Sequence, residues 1–419
     1  MQDHIQLTQK QINDDLLAGV LGMPKWWLPA VIFLTLIVFA GLGSFGYMMN
    51  KGLGVTGLNR PVMWGIFIVN FVFWIGISHA GIMISAILRL THAEWRRPIT
   101  RAAEVMTVFA LMAALHTPLF HVGRPWREVW VFPYDFARGV WPNVRSPFVW
   151  DPSAVGTYLI ASSLFVFIAL IPDLAVIRDR AINPMVKKIY GFMCLGWRGT
   201  PRQWKLQAIA GILLSALVLP VFVSVHSIVS WDFAVLIGVE GWHSTIFAPY
   251  FIIGAIHSGV SGVATLMALS VWLWKLDKYL RPDHFDAIAR LLIVVAVTWF
   301  FFFFLEWVFA LYTLESVEIT LREFQVFQYP YSILFIVFVL TAFVIPVPMW
   351  MFKSVRRSAF WMFISTLLVN VGMWLERFII IVPSLLRRQP FAFDWGTCHP
   401  SIVEIIIVAE TFAFVALGL

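Results

Sequence analysis

Runs such as "LLIVVAVTWFFFFFL" (residues 291–305) decide which solvent this chain folds in. A bilayer core about 30 Å thick needs about 20 apolar residues per helix. Comparable runs recur along the whole sequence, which predicts an all-α polytopic membrane protein. The strands of a membrane barrel alternate polar and apolar residues over about ten positions, and uninterrupted runs exclude that. Composition agrees: 60% of residues are hydrophobic and 13% charged, against about a quarter charged in soluble proteins. The opening "MQDHIQLTQKQINDD" is polar and lacks the basic-then-apolar pattern of a cleavable signal.

Ten spans are expected, near residues 27–48, 62–90, 102–121, 153–173, 206–229, 245–274, 287–312, 330–351, 358–384 and 400–419. Loop charge sets their orientation. With alternate loops assigned to two sides, the side carrying the N-terminus receives 20 of the 30 Lys and Arg. The densest loop is "RDRAINPMVKKIYGFMCLGWRGTPRQWK". The positive-inside rule places that side in the cytoplasm and the other in the periplasm. The net charge of +7 therefore reports topology, and no nucleic-acid partner is expected. Two cysteines, Cys194 and Cys398, are too few for an iron–sulfur cluster or a structural zinc site of the chain's own.

The second and sixth spans carry "GISHAG" (76–81) and "GAIHSG" (254–259), and an Arg-Pro pair follows each, at Arg97-Pro98 and Arg281-Pro282. This reads as a tandem repeat of four helices; chance recurrence of Gly and His is the bland alternative. The expected division is an N-terminal segment with one helix (1–61), a first four-helix bundle (62–229), a second (230–384) and a last helix (385–419). Small residues around His79 and His257 would let helices approach closely, favouring buried histidines.

Ionisable groups inside a membrane are costly and usually face a bundle interior or cavity. At membrane depth these are His79, Glu104, His116, His257, Glu306 and Glu376; at the periplasmic edge, His121, Arg124, Asp151, His226, Asp232 and His243. Each also has a structural reading. Asp151 is placed to cap the fourth helix, Arg124 and Trp126 to anchor at the headgroups, Asp232 and His243 to pair within one loop. Glu376 and Arg377 read as a packing or snorkelling pair. Glu104 and Glu306 are expected to lack a basic neighbour one turn away at their own depth.

Histidine and carboxylate at an apolar interface suit quinone chemistry, where each quinone oxygen takes a proton on reduction and returns it on oxidation. Haem is the rival ligand, but the pairing of histidines two to four turns apart on one helix is not visible. A secondary transporter would more often show broken helices at its site, and a purely structural anchor needs no histidine–carboxylate cluster.

The segments "NFVFWIGISHAGIMISAILRL", "RAAEVMTVFALMAALHTPLFHVGRPW", "WPNVRSPFVWDPSAVGTYL", "LIPDLAVIRDR" and "HSIVSWDFAVLIGVEGWHSTIFAPYF" resemble the NrfD/PsrC-like quinone-interacting membrane subunits. Within that family they are most similar to the ten-helix branch, which includes the QrcD subunit of the menaquinone reductase complex and the ActC subunit of alternative complex III. The resemblance implies two four-helix bundles plus two helices, menaquinone as bound substrate, and no haem, iron–sulfur cluster or metal of the chain's own. It implies an acid–base pair at His121 and Asp151, with Asp232 as a further pocket residue; Arg124, Trp126, Tyr158 and His243 are further candidates around the quinone. His79, Glu104, His257 and Glu306 form a candidate proton path. Implied partners are a periplasmic ferredoxin-like iron–sulfur subunit, a molybdopterin-oxidoreductase-like subunit and a multihaem cytochrome c.

Overall fold

In lipid every backbone N–H and C=O must find its partner within the chain, so each apolar run becomes a helix. The computed structural model describes residues 24–58, 62, 64–134, 136–140, 149–234, 239, 241–386 and 398–419, together with 8, 10–12 and 14–16. Each of the ten expected spans is helical: α1 (Trp27–Lys51), α2 (Gly65–Leu90), α3 (Arg97–Val122), α4 (Trp150–Arg180), α5 (Pro201–Asp232), α6 (Phe247–Trp274), α7 (Pro282–Tyr312), α8 (Tyr331–Met351), α9 (Ala359–Leu385) and α10 (Ile402–Gly418). A π turn at Leu340–Val344 interrupts α8. The first nine are long and apolar enough to cross a membrane; the 17 residues of α10 give about 25 Å of helix. No strand occurs among the described residues.

Local chemistry fixes several ends. Thr200 and Gln203 form a reciprocal capping box at the start of α5, at 3.3 and 3.2 Å. Ser401 and Glu404 do the same for α10, and Glu404 also accepts the Gly57 N–H at 2.5 Å. That bond ties α10 to the segment entering α2. Helices α4 and α5 run several residues beyond their apolar stretches, and the extension of α4 carries the ion pair between half-buried Arg178 and exposed Asp179.

Helix α2 lies at the centre, packed on α3, α5 and α6; α3 and α5 in turn pack on α4. Helix α6 packs on α7 and α9, and α8 rests on α9. Helices α1 and α10 pair with each other, and α10 leans on α3. One side of α1 exposes Leu28, Ile32, Phe33, Leu36 and Phe39, a surface suited to lipid tails.

The two glycine–histidine motifs meet face to face. A Cβ on Gly76 would come 3.2 Å from Ser258 Oγ and 3.5 Å from Ala255 Cα, both in the α6 motif. His79 and His257 are fully buried, as the small neighbours lead one to expect. Gly81 does the same towards α3, where the Ala103 carbonyl and the Thr107 hydroxyl occupy the space of a Cβ. Gly81→Leu is therefore expected to push α2 from α3 and destabilise the fold by about 1–3 kcal/mol. The loss should appear as a lower midpoint of thermal unfolding in detergent.

Candidate functional site

The site begins where α3 ends. His121 occupies the last turn, and Gly123, in the left-handed region at φ +70°, closes the helix. A side chain is strained there, so the glycine stops the helix directly after the histidine. The ring lies 6.3 Å from Trp64, and its buried Nδ1 has no hydrogen-bond partner among the described residues.

Asp151 lies in the first turn of α4. It is not the cap: Val149 holds that position and no side chain caps the helix. The Asp151 carboxyl instead faces that of Asp232, the last residue of α5, and Asp151 Oδ1 and both Asp232 carboxyl oxygens have no hydrogen-bond donor among the described residues. Asp232 is 3% exposed. A carboxylate only accepts hydrogen bonds, so a bond between two carboxyls needs a proton on one of them. Such a pair can share a single proton, and it stands beside the positive end of the α4 dipole. Segments 141–148 and 235–238, which flank the two aspartates, lie outside the described residues.

The structure distributes the other candidates differently from the expectation. His243 does not meet Asp232. Its ring faces Glu318 at 3.6 Å and Glu315 at 3.9 Å, because it sits beyond the loop, at the entry to α6. Arg124 and Trp126 are exposed on the short helix Pro125–Trp130 or its edge, as anchoring residues would be. Tyr158 lies two turns inside α4, fully buried, with its hydroxyl donating to the Ser78 carbonyl at 3.2 Å.

Deeper in the same helix group, His79 stands between two backbone carbonyls, Ile75 at 2.5 Å and Phe222 at 3.1 Å. Its ring is 4.7 Å from His226 and 5.1 Å from Tyr158. His226, expected at the membrane edge, is brought to His79 by the packing of α5 on α2, and there it is fully buried. His116 packs on Phe414 of α10 at 5.0 Å.

Glu104 and Glu306 are both paired with arginines: Glu104 has Arg101 one turn away, against the expectation, whereas Glu306 meets Arg322 of the separate short helix Ser316–Phe327. Arg101, one turn before Glu104, folds back to it at 2.8 Å and also holds Asp173 at 2.8 Å; Arg89 approaches at 3.7 Å, and Ser85 donates to Glu104 as well. Glu306 accepts from Ser244 at 2.5 Å and from Arg322 at 3.2 Å. Glu376 and Arg377 are a buried pair rather than a snorkelling one, each 1% exposed. Tyr250 and Trp299 donate to the same carboxylate, the indole at 2.9 Å. His257 is close to Trp299, 5.5 Å between rings, and neither ring nitrogen has a hydrogen-bond partner among the described residues.

Sequence reasoning therefore missed the Asp151–Asp232 pairing, the His79–His226 contact and the role of Arg322. Only the Arg101–Glu104 spacing of three residues carried a local signal.

Comparison with known proteins gives three relatives and one family. The chain is 28% identical over 253 residues to a putative dimethyl sulfoxide reductase membrane subunit of Halobacterium salinarum, covering 60% of this chain and 52% of that one. It is 22% identical over 230 residues to an Hdr-like menaquinol oxidoreductase integral membrane subunit of Archaeoglobus fulgidus, covering 55% and 48%. It is 24% identical over 249 residues to a selenate reductase subunit of Mesobacillus selenatarsenatis, covering 56% and 54%. The chain spans about half the length of these curated relatives. The family described as "Polysulphide reductase, NrfD" matches residues 54–388. With most of its length inside that match and its succession of apolar helices, the chain is a multi-pass integral membrane protein of the NrfD family.

Proposed function

We propose that this chain is the quinone-reactive membrane subunit of a multi-subunit oxidoreductase, with menaquinone as its substrate. The Asp151–Asp232 pair carries the reading, because a quinone oxygen must gain or lose a proton with each electron and this pair can hold one at the membrane edge. His121, with a free buried Nδ1, is the second proton-exchanging group. Quinone reduction consumes two electrons and two protons; a periplasmic iron–sulfur subunit supplies the electrons, and the chain's own residues handle the protons. The side opposite the basic loops is then the periplasm of a bacterial inner membrane, with the N-terminus cytoplasmic. A molybdopterin-oxidoreductase-like subunit and a multihaem cytochrome c would complete the complex. The reverse direction, menaquinol oxidation, is the second reading, favoured by the name of the A. fulgidus relative.

A menaquinone-analogue titration by fluorescence quenching tests the reading. Saturable binding that weakens in Asp151→Asn supports it. Binding unchanged in the variant removes Asp151 from the site, and absence of binding to the intact complex leaves the anchor reading in its place.

The same helix group supplies a route for protons. Glu104 contacts Ser85; Thr107 and Tyr158 both donate to the Ser78 carbonyl; His79 and His226 follow, and Asp232 lies six residues on along α5. These groups run from the basic side towards the aspartate pair. His257 and Glu306 belong to the other helix group and would serve a separate route. Glu104→Gln is expected to slow charge uptake several-fold while leaving quinone binding unchanged, measured as electrogenic signals in proteoliposomes. Signals equal to wild type would remove Glu104 from the route.

A further inference from the structure

The chain between α4 and α5 folds back on the helices it connects. Asn183 caps a ten-residue helix, Pro184–Met193, by accepting from the Met185 N–H at 2.9 Å, and proline takes the first position. Cys194 and Trp197, just beyond it, pack on Leu174 and Ala175 of α4. Those residues lie six and five positions before Arg180, where α4 ends, so the segment returns about 8 Å towards the apolar stretch. Arg178 fastens it there, donating to the Cys194 sulfur at 3.0 Å and to the Trp197 carbonyl at 2.9 Å.

Pro184–Met193 then presents three sides. Tyr190 packs inward on the same cluster, and Val186, one turn before it, is half-buried. Met185, Ile189 and Phe192 follow one another at spacings of four and three, so they share a side. They are 65%, 50% and 82% exposed. Lys187 and Lys188 take the remaining side and are exposed too. Arg198, Arg202 and Lys205 follow, all exposed. Residues 181–205 hold these five cations and no Asp or Glu. The acidic groups nearby, Asp179 and Asp14, are held by Arg178 and Arg180. Exposed Leu206 and Ile209 come next on the membrane-crossing run of α5, which sets the cations at the depth of the headgroups.

We propose that Pro184–Met193 is an in-plane helix that binds acidic phospholipid, its apolar side among the acyl chains and the five cations on headgroup phosphates. A bilayer surface satisfies both sides at once. A free anion offers nothing to Met185, Ile189 and Phe192, and these large apolar side chains are costly to leave in water. The site is independent of the quinone chemistry and lies at the other ends of α4 and α5 from Asp151 and Asp232.

The test has two parts. Photoreactive p-benzoylphenylalanine is placed at Phe192 of the full chain in native membranes, and its adducts are identified by mass spectrometry. A phospholipid adduct is expected. An adduct to another polypeptide makes this side a protein-docking surface, and no adduct leaves it in water; either overturns the proposal. Headgroup choice is read on the full chain in nanodiscs of equal phosphatidylglycerol and phosphatidylcholine, as the ratio of the two lipids retained by the protein. The acidic lipid should be retained preferentially, and Lys187→Gln/Lys188→Gln should lower that preference about tenfold with the unfolding midpoint unchanged. Inorganic phosphate should not displace it. Equal retention, a preference unaltered in the variant, or displacement by phosphate overturns the acidic-lipid site.

Discussion

Asp232→Asn is expected to lower quinone turnover of the complex by about a hundredfold or more while leaving the fold at least as stable. Two adjacent carboxyls at the ends of α4 and α5 are a poor device for holding a protein together. Asp232 is buried and Asp151 half-buried, and no arginine or lysine is hydrogen-bonded to either among the described residues. Burial of such groups costs free energy unless hydrogen bonds offset it. An amide in place of one carboxyl keeps the shape, donates to the remaining oxygen and removes the excess acid. Turnover and thermal unfolding, measured on the same preparation, should therefore move in opposite directions. A residue kept for stability would show the reverse: a lower unfolding midpoint with turnover little changed.

Arg377→Leu should have the largest effect on the fold, a loss of about 3–5 kcal/mol. Glu376 receives Tyr250, Trp299 and Arg377 in a site where neither charged residue reaches the surface. Arg377 also lies 4.8 Å over the Phe251 ring and fills the space left by Gly254, where a Cβ would come 2.8 Å from its Nη2. Removing the guanidinium strands a carboxylate in an apolar interior and opens a hole beside α6. The double variant Arg377→Leu/Glu376→Gln should recover a large part of the loss, because a neutral amide no longer needs the cation. Unfolding midpoints of both variants in detergent check this, and an unrescued double variant would mean that packing on Phe251, not charge, sets the cost.

The helices were legible because hydropathy records a one-dimensional property: "LLIVVAVTWFFFFFL" needs no partner to announce a span. The burial of His79 and His257 was legible for a related reason. Glycine and serine beside a membrane histidine permit close approach, and Gly76 does rest on Ser258. Pairings between helices were not legible. Asp151 and Asp232 are separated by most of α4 and α5, and only the packing of those helices decides that Asp232 meets Asp151 rather than His243. Depth in the membrane was a fair guide to which groups could meet, but it carries no rotation about the helix axis. That is why His226, assigned to the edge, faces His79 instead. Glu306 and Arg322 illustrate the same limit, since their contact joins α7 to a separate short helix.

The central claim is that Asp151 and Asp232 act as one proton-exchanging unit on the quinone, and a double-variant cycle tests it most directly. Quinone turnover would be measured for Asp151→Asn, Asp232→Asn and the two together. Groups that act as a unit are strongly non-additive, so the double variant should be no slower than the slower single one. Losses that multiply, or either single variant turning over at the wild-type rate, would contradict it.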